Sequence, residues 1–137
     1  MRVFLDTNIL VSAILFPSGR VAGFLKTAIA EHTLVVSSFV VDELHKVFNA
    51  KFSDKKAELE RFLTEFGYEL VYSPKAINSA DYPKVRDEND LPIIVAAVVS
   101  DCDYLVTGDK DILEVQLERP RIITAQEFEE LSARSEL

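Results

Sequence analysis

The chain has 137 residues, of which 48% are hydrophobic and 28% charged, a profile typical of one globular domain and not of a disordered segment. Its single cysteine excludes an internal disulfide framework and a zinc site built from several thiolates. No apolar stretch approaches the ~20 residues of a membrane-spanning helix, and the first carboxylate comes too early for a signal peptide. We therefore expect a single domain over residues 1–137, in the cytoplasm and without membrane contact.

The net charge of −8 is unevenly distributed along the chain. Residues 101–137 hold 10 acidic and 4 basic side chains, whereas residues 1–100 hold 13 and 11. Such a molecule is not attracted as a whole to a polyanion. A nucleic-acid substrate would therefore require local basic patches or bound cations.

Short apolar segments alternate with longer segments of helical periodicity. Strands are predicted where runs rich in Val, Ile, Leu or Tyr end near a polar residue, at residues 3–6, 34–37, 69–72, 104–107 and 121–124. Helices are predicted at residues 21–29 and 40–48, where apolar residues recur on one face, and from a Ser53 cap through residue 66. Thr124 and Glu127 have the spacing of a capping box, which predicts a last helix.

The apolar segment 93–99 is rich in β-branched residues, so its composition also suits a strand. Pro92 fits a first helical turn, and the strand at Tyr104 needs a crossover before it if the sheet is parallel. We therefore predict a buried helix here and an α/β fold with a parallel sheet between helices. In such sheets ligands bind beyond the C-terminal ends of the strands.

Two predicted strands end in similarly placed carboxylates. Asp6 follows the first strand, and Asp109 follows the fourth strand after the turn residue Gly108, with Asp111 two positions later. Each acid could simply cap a helix or a turn. Their repetition at equivalent strand ends favours a shared site at one edge of the sheet.

Glu43 can be placed by helical geometry. At about 100° per residue, it lies on the flank of the apolar stripe that includes Val40 and Leu44, whereas Asp42 faces solvent. Glu43 is therefore either a solvated rim residue or a ligand at the edge of a cleft.

The segment 86–90 holds three carboxylates in four residues, directly before the apolar helix. These groups repel one another unless a cation or the helix N-terminus compensates. Asp90 is the preferred inward residue because it is nearest to the helix start, and Asp87 could assist. The alternative is a polar loop that caps the following helix.

Asp6, Glu43, Asp90 and Asp109 thus form an acidic set from four separate segments. No histidine is paired with them, and His32 and His45 lie in polar stretches where exposure is expected. Oxygen ligands select Mg²⁺ or Mn²⁺ rather than zinc. Bound cations would also turn an acidic pocket into one that attracts phosphate, so the pattern predicts metal-assisted hydrolysis of phosphodiesters.

Four segments in this order resemble the motifs of the PIN-domain family: residues 3–13, 37–44, 86–90 and 103–111. The resemblance covers nearly the whole chain. It implies a three-layer α/β/α sandwich around a central, mainly parallel sheet of about five strands. It also implies a Mg²⁺- or Mn²⁺-dependent ribonuclease, often the toxin of a toxin–antitoxin pair and often a homodimer. The expected partners are therefore an RNA substrate, an antitoxin protein and a second copy of the chain.

Carried over by position, the resemblance assigns catalysis and metal binding to Asp6, Glu43, Asp90 and Asp109. Supporting positions are Asn8, Thr107, Asp87 and Asp111. The family's third motif often has further acids where this chain has Asn89 and Leu91. The choice among Asp87, Glu88 and Asp90 as metal ligand therefore stays open.

A basic stretch offers a second way to hold RNA, since cations could bind phosphates and an exposed aromatic ring could stack on a base. Interspersed acids favour instead a solvated helix with Phe48 in the core. The basic residues are Lys46, Lys51, Lys55, Lys56 and Arg61, next to Phe48 and Phe52.

Three other classes of protein share parts of the pattern. A haloacid-dehalogenase-type phosphatase needs a second aspartate two residues after the first, where this chain has Asn8. A receiver domain needs an aspartate at the end of its third strand, where residues 71–74 have none. A PIN-like module that binds RNA or a partner without turnover is the remaining alternative.

Overall fold

The computed structural model describes residues 1–134, and all five predicted strands are present in this part of the chain. They are β1 (Arg2–Leu5), β2 (Thr33–Ser37), β3 (Glu69–Val71), β4 (Tyr104–Val106) and β5 (Arg121–Ile123). The sheet has the order β3-β2-β1-β4-β5, and each pairing is parallel. The predicted α/β fold with a parallel sheet of about five strands is therefore confirmed.

The helices connect the strands and flank the sheet. They are α1 (Thr7–Leu15), α2 (Arg20–Glu31), α3 (Ser38–Lys51), α4 (Lys56–Glu65), α5 (Leu91–Val99), α6 (Lys110–Leu113) and α7 (Ala125–Ala133). Short 3-10 turns lie at Ser53–Lys55, Ser79–Asp81 and Glu88–Asp90. Among the described helices no single one is long and apolar enough to span a membrane. Taken together, α1 and α2 have the length and composition of a span, but the chain bends by 111° between them.

Local capping explains where several helices begin. The Ser37 hydroxyl accepts a hydrogen bond from the Val40 amide at 3.2 Å and starts α3. Thr124 and Glu127 form the predicted capping box of α7, and Pro92 lies in the first turn of the buried helix α5, as predicted. The predicted Ser53 cap is wrong: Ser53 opens a 3-10 turn, and α4 begins at Lys56 without a side-chain cap.

The central strand β1 shows why the sheet must lie between two helical layers. Val3, Phe4 and Leu5 point alternately to its two faces, and all three are 0% exposed. Phe4 is paired with Val35 on one side and with Leu105 on the other. Burial of both faces is the usual state of a parallel sheet and accounts for the continuous apolar character of these strands.

The strand order creates a crevice at the C-terminal edge of the sheet. From β1 the chain proceeds to β2 and β3 on one side and then returns to β4 and β5 on the other. The direction of winding therefore reverses between β1 and β4, and ligands of doubly wound sheets bind at such switch points. The residues that follow β1 and β4 include Asp6, Thr107 and Asp109.

One histidine differs from its predicted environment. The His32 side chain is only 8% exposed, and its ring lies edge-on to Phe128 at a centroid distance of 5.3 Å. Neither of its ring nitrogens makes a hydrogen bond to the described residues, and the nearest carboxylate oxygen in an ion pair, from Glu31, is 3.9 Å from Nε2. The expectation of an exposed His32 is wrong because the end of α2 packs against Phe128 of α7. His45 is partly exposed, with 42% of its side chain accessible.

Candidate metal centre

Asp6 lies at the switch point and is 3% exposed. Its amide donates a hydrogen bond to the Val106 carbonyl at 3.1 Å, which extends the pairing of β1 with β4 by one step. One carboxylate oxygen accepts from the Thr7 amide at 2.7 Å, and the other accepts from the Thr107 hydroxyl at 2.6 Å. Each oxygen thus has one protein donor and retains capacity for a further partner.

Thr107 connects two of the predicted acids. Its hydroxyl donates to Asp6 and accepts a hydrogen bond from the Asp109 amide at 3.0 Å. The residue is 0% exposed, so both bonds are shielded from competing water. The turn after β4 is therefore fastened to the end of β1 through one buried hydroxyl.

Glu43 extends from α3 towards the end of β1. Its side chain is partly buried, and one carboxylate oxygen accepts from the Thr7 hydroxyl at 2.6 Å. Asp42, its neighbour, is exposed, as the helical geometry predicts. The sequence analysis did not single out Thr7 as a supporting residue, although its place between Asp6 and Asn8 in the first motif was a usable signal.

Asp90, Asp109 and Asp111 form a close group of acids. One oxygen from each carboxylate lies within 4.8 Å of the others, and all three side chains are partly buried. Another bond orients this group: an Asp109 oxygen accepts from the Asp111 amide at 2.8 Å and caps α6. Asp111, predicted as a supporting acid, therefore lies directly among the carboxylates.

Two other predicted supporting residues lie differently. Asp87 is exposed, and its carboxylate accepts from the Asn89 amide at 3.0 Å, which caps the turn leading to Asp90. The Asn8 side chain is exposed and makes no hydrogen bond to the described residues. Asp87 thus positions the loop, while no hydrogen bond within the described residues connects Asn8 to the acids.

The carboxylates lie close enough together to raise one another's pKa values. Burial, followed by the charges of Asp109, Asp87, Asp6 and Glu43, raises the pKa of Asp90 to about 6. The pKa of Asp6 is also raised, chiefly by burial, although its hydrogen bonds from Thr107 and Thr7 oppose the shift. Mutual repulsion of this kind is relieved by a bound cation.

The donor set fits a hard divalent cation. Its atoms are carboxylate oxygens, with histidine and thiolate groups absent from the arrangement, since Cys102 is buried elsewhere in the core and His32 packs on Phe128. Mg²⁺ and Mn²⁺ favour such oxygen ligands. The structure thus brings Asp90, Asp109 and Asp111 together, and Thr107 connects Asp6 to Asp109.

The basic stretch near α4 has a different character. Phe48 is 0% exposed and Phe52 packs against it at 5.6 Å, so Phe48 lies in the core. The interpretation as a solvated helix over a buried aromatic residue agrees with this arrangement, and Phe48 is not available for stacking on a base.

Comparison with known proteins identifies the family. The model of the PIN domain matches residues 2–111, most of the chain, so the protein belongs to the PIN-domain family. Its fold is similar to a chain in the crystal structure of VapBC2 from Rickettsia felis bound to a DNA fragment from their promoter, with a TM-score of 0.67 and 23% identity over 90% of this chain and 97% of that one.

A second solved structure has the same fold. The PIN domain endonuclease Utp24 matches with a TM-score of 0.53 and 19% identity, over 81% of this chain and 73% of that one. No curated protein sequence matches this chain. The predicted membership of the PIN-domain family and the PIN-like sandwich are confirmed.

Proposed function

We propose that this PIN-domain protein is a Mg²⁺- or Mn²⁺-dependent endoribonuclease that hydrolyses RNA phosphodiester bonds. The observation that supports it best is the convergence of carboxylates at the switch point, with oxygens of Asp90, Asp109 and Asp111 within 4.8 Å of one another. The family membership and the likeness to a PIN domain endonuclease support the same reaction class.

In this proposal Asp6, Glu43, Asp90 and Asp109 hold the cation, and Asp111 takes part through its place in the same group. The cation supplies stabilisation of the negative charge that develops on the phosphodiester oxygens during hydrolysis. The protein supplies a preorganised set of oxygens whose repulsion is already part of the folded state, so that the site has a strong preference for positive charge.

Hydrogen bonds from two threonines orient the carboxylates of the site. Thr107 and Thr7 fix both oxygens of Asp6, so this carboxylate cannot rotate away from the crevice. Thr7 also holds one oxygen of Glu43 and leaves the other free. We assign to that free oxygen the positioning of the attacking water and the acceptance of its proton.

The biological setting proposed here is a toxin–antitoxin pair. The likeness in fold to VapBC2 supports this setting, in which the partners are an antitoxin protein and a second copy of the chain. We further propose that residues 1–137 form one domain that acts in the cytoplasm, where RNA is available.

The decisive experiment is RNA cleavage by the wild type and by Asp6→Asn. Single-stranded and structured RNA are incubated with Mg²⁺ or Mn²⁺ and analysed on denaturing gels. We expect cleavage that requires the metal and is lost in Asp6→Asn, while Asp42→Asn, which removes an exposed acid from α3, retains it. Equal cleavage by the wild type and Asp6→Asn would identify a contaminating nuclease and overturn the proposal.

A further inference from the structure

Two exposed arginines, one beside Asp111 and one beside the turn at Thr107 and Gly108, differ from those that stabilise the fold. Arg2 and Arg119 are fixed by short contacts, at 2.6 Å from Glu69 and 2.6 Å from Asp101, respectively. Arg86, by contrast, lies 3.9 Å from an oxygen of Asp111, too far for a hydrogen bond, and its side chain is 79% exposed. Its guanidinium makes no hydrogen bond to residues 1–134 and therefore keeps donors for a further partner.

Arg20 is held in the same loose way. It lies 3.8 Å from Glu129, and its side chain is 67% exposed. Arg20 also lines a hollow of about 230 Å³ together with Thr107 and Gly108, the two residues that precede Asp109. Two exposed guanidinium groups thus approach the turn 107–111, one from the loop before α5 and one from α2.

The charge of the molecule makes these groups significant. With a net charge of −8, the protein repels RNA except where cations are concentrated locally. A guanidinium binds phosphate through two parallel N–H bonds, and it is less strongly hydrated than an ammonium group. Exposed arginines in long ion pairs can change partners at little cost, because the pair they give up is weak.

We propose that Arg86 and Arg20 bind RNA phosphates on the path that leads over the acidic centre. The inference rests on the proposed ribonuclease function and adds the residues that hold the substrate. Asp90, Asp109 and Asp111 would hold the cation, and its charge would weaken the attraction between Asp111 and Arg86. Arg86 would then be available to an RNA phosphate, so that occupation of the metal centre would favour binding of the substrate.

The first test measures binding and does not depend on turnover. Protein is added to a fluorescein-labelled single-stranded RNA in the presence of Ca²⁺, and binding is measured by fluorescence anisotropy at several salt concentrations. A gel checks that the RNA stays intact. We expect Arg86→Gln and Arg20→Gln each to weaken binding about tenfold and to reduce the slope of log K against log salt by about 0.7, the value for one phosphate contact on a single strand. The double variant should lose about 1.4 of the slope.

Matched variants separate this role from a general charge effect. Lys55→Gln removes one exposed positive charge from the basic stretch near α4 and should leave the slope unchanged. Arg86→Lys should restore the slope, because the charge returns, but only part of the affinity, because the two-pronged contact does not. Loss of the slope in Lys55→Gln, with normal slopes in both arginine variants, would move the RNA path to α4 and overturn the proposal.

A second test distinguishes Arg86 from a residue that merely supports the metal site. Titration of Mn²⁺ alone by calorimetry should show equal or tighter binding in Arg86→Gln, because a competing cation has been removed. Weaker Mn²⁺ binding would make Arg86 a support of the carboxylates and contradict the assignment.

If the wild type binds RNA through the arginines without cutting it, the ribonuclease proposal fails and the phosphate contacts stand. If it cuts RNA and both arginine variants have an unchanged KM, only the phosphate contacts fail.

Discussion

The hydroxyl of Thr107 donates a 2.6 Å hydrogen bond to the carboxylate of Asp6, a residue 101 positions earlier in the chain. Both side chains are buried, and the same hydroxyl accepts from the amide of Asp109. Thr107 therefore orients one acid directly and a second through the backbone, although it carries no charge itself.

Thr107→Val is expected to weaken both stability and activity. The change preserves the shape of the side chain but leaves a buried Asp6 oxygen and the Asp109 amide without this partner. We expect a loss of about 1–3 kcal/mol in the free energy of unfolding and a roughly 10- to 100-fold decrease in RNA cleavage. Urea denaturation and initial cleavage rates measure the two effects.

Thr107→Ser is the matched control, because it keeps the hydroxyl. It should retain most of the activity, with only a small decrease in stability. Wild-type activity in Thr107→Val would show that the orientation of Asp6 does not depend on this bond.

Asp90→Asn is expected to stabilise the protein without metal at neutral pH. The folded-state pKa of Asp90, about 6, lies above the ordinary value of 3.8, so the folded protein binds this proton more tightly than the unfolded chain does. The contribution of the protonated Asp90 to the free energy of unfolding is complete below pH 3.8 and is lost as the pH rises through about 6. After discounting for solvent access to this partly exposed group, Asp90→Asn should gain about 1 kcal/mol at pH 7.5 and little at pH 4.5.

The measurement is the difference in unfolding free energy between the wild type and Asp90→Asn from pH 4.5 to 7.5 in EDTA. Asp87→Asn, at an exposed acid of the same loop, should show a smaller difference. A difference that is constant with pH would contradict the shared field of the acids.

Divalent metal should reverse the destabilisation at neutral pH. We expect Mn²⁺ to raise the melting temperature of the wild type. The free energy of unfolding should increase by about 2.7 kcal/mol when the free Mn²⁺ concentration is one hundred times the Kd. Asp90→Asn should lose most of this gain, and EDTA should abolish it. Because clustered carboxylates must lose protons to bind metal, the gain and the cleavage rate should both increase from acidic to neutral pH. An equal Mn²⁺ response in the wild type and Asp90→Asn would contradict ligation at this site.

His32 should have the opposite effect on the pH dependence of stability. Burial lowers the pKa of its ring below 6.5, so the folded protein resists protonation. The contribution of the neutral His32 to the free energy of unfolding is complete above pH 6.5 and is lost as the pH falls below that value. His32→Leu removes two buried nitrogens that make no hydrogen bond within residues 1–134, and it should stabilise the protein by about 1 kcal/mol at pH 5.5, with a smaller gain at pH 8. His45→Gln, at an exposed side chain, controls for the loss of a histidine; a larger gain at pH 8 than at pH 5.5 would be inconsistent with this account.

Most of the fold could be predicted from the sequence because its strands are short apolar runs with clear ends. The five predicted strands agree with the observed ones within one residue at each end. The helix at residues 93–99 was recognised from Pro92 and from the connection that a parallel sheet requires. The Ser53 cap was wrong because a 3-10 turn takes up the residues that the pattern assigned to the first helical turn.

The site was less accessible to sequence reasoning, since contacts between distant segments decide it. Periodicity placed Glu43 at the rim of α3 but gave no information about its bond from Thr7. The burial of His32 depends on Phe128, 96 positions later, which local polarity did not indicate. Asp111 was assigned a supporting place only by resemblance, whereas its carboxylate lies among those of Asp90 and Asp109.

The pairing of β1 with β4 has a consequence for the newly made polypeptide. Asp6 leaves the ribosome 101 residues before its partner Thr107, which the neighbouring Asp109 follows. A chain interrupted before that point has half of the crevice and lacks the other wall. If this protein cuts RNA as proposed, its own messenger is not cleaved until β4 and the turn to Asp109 have emerged from the ribosome and paired with β1.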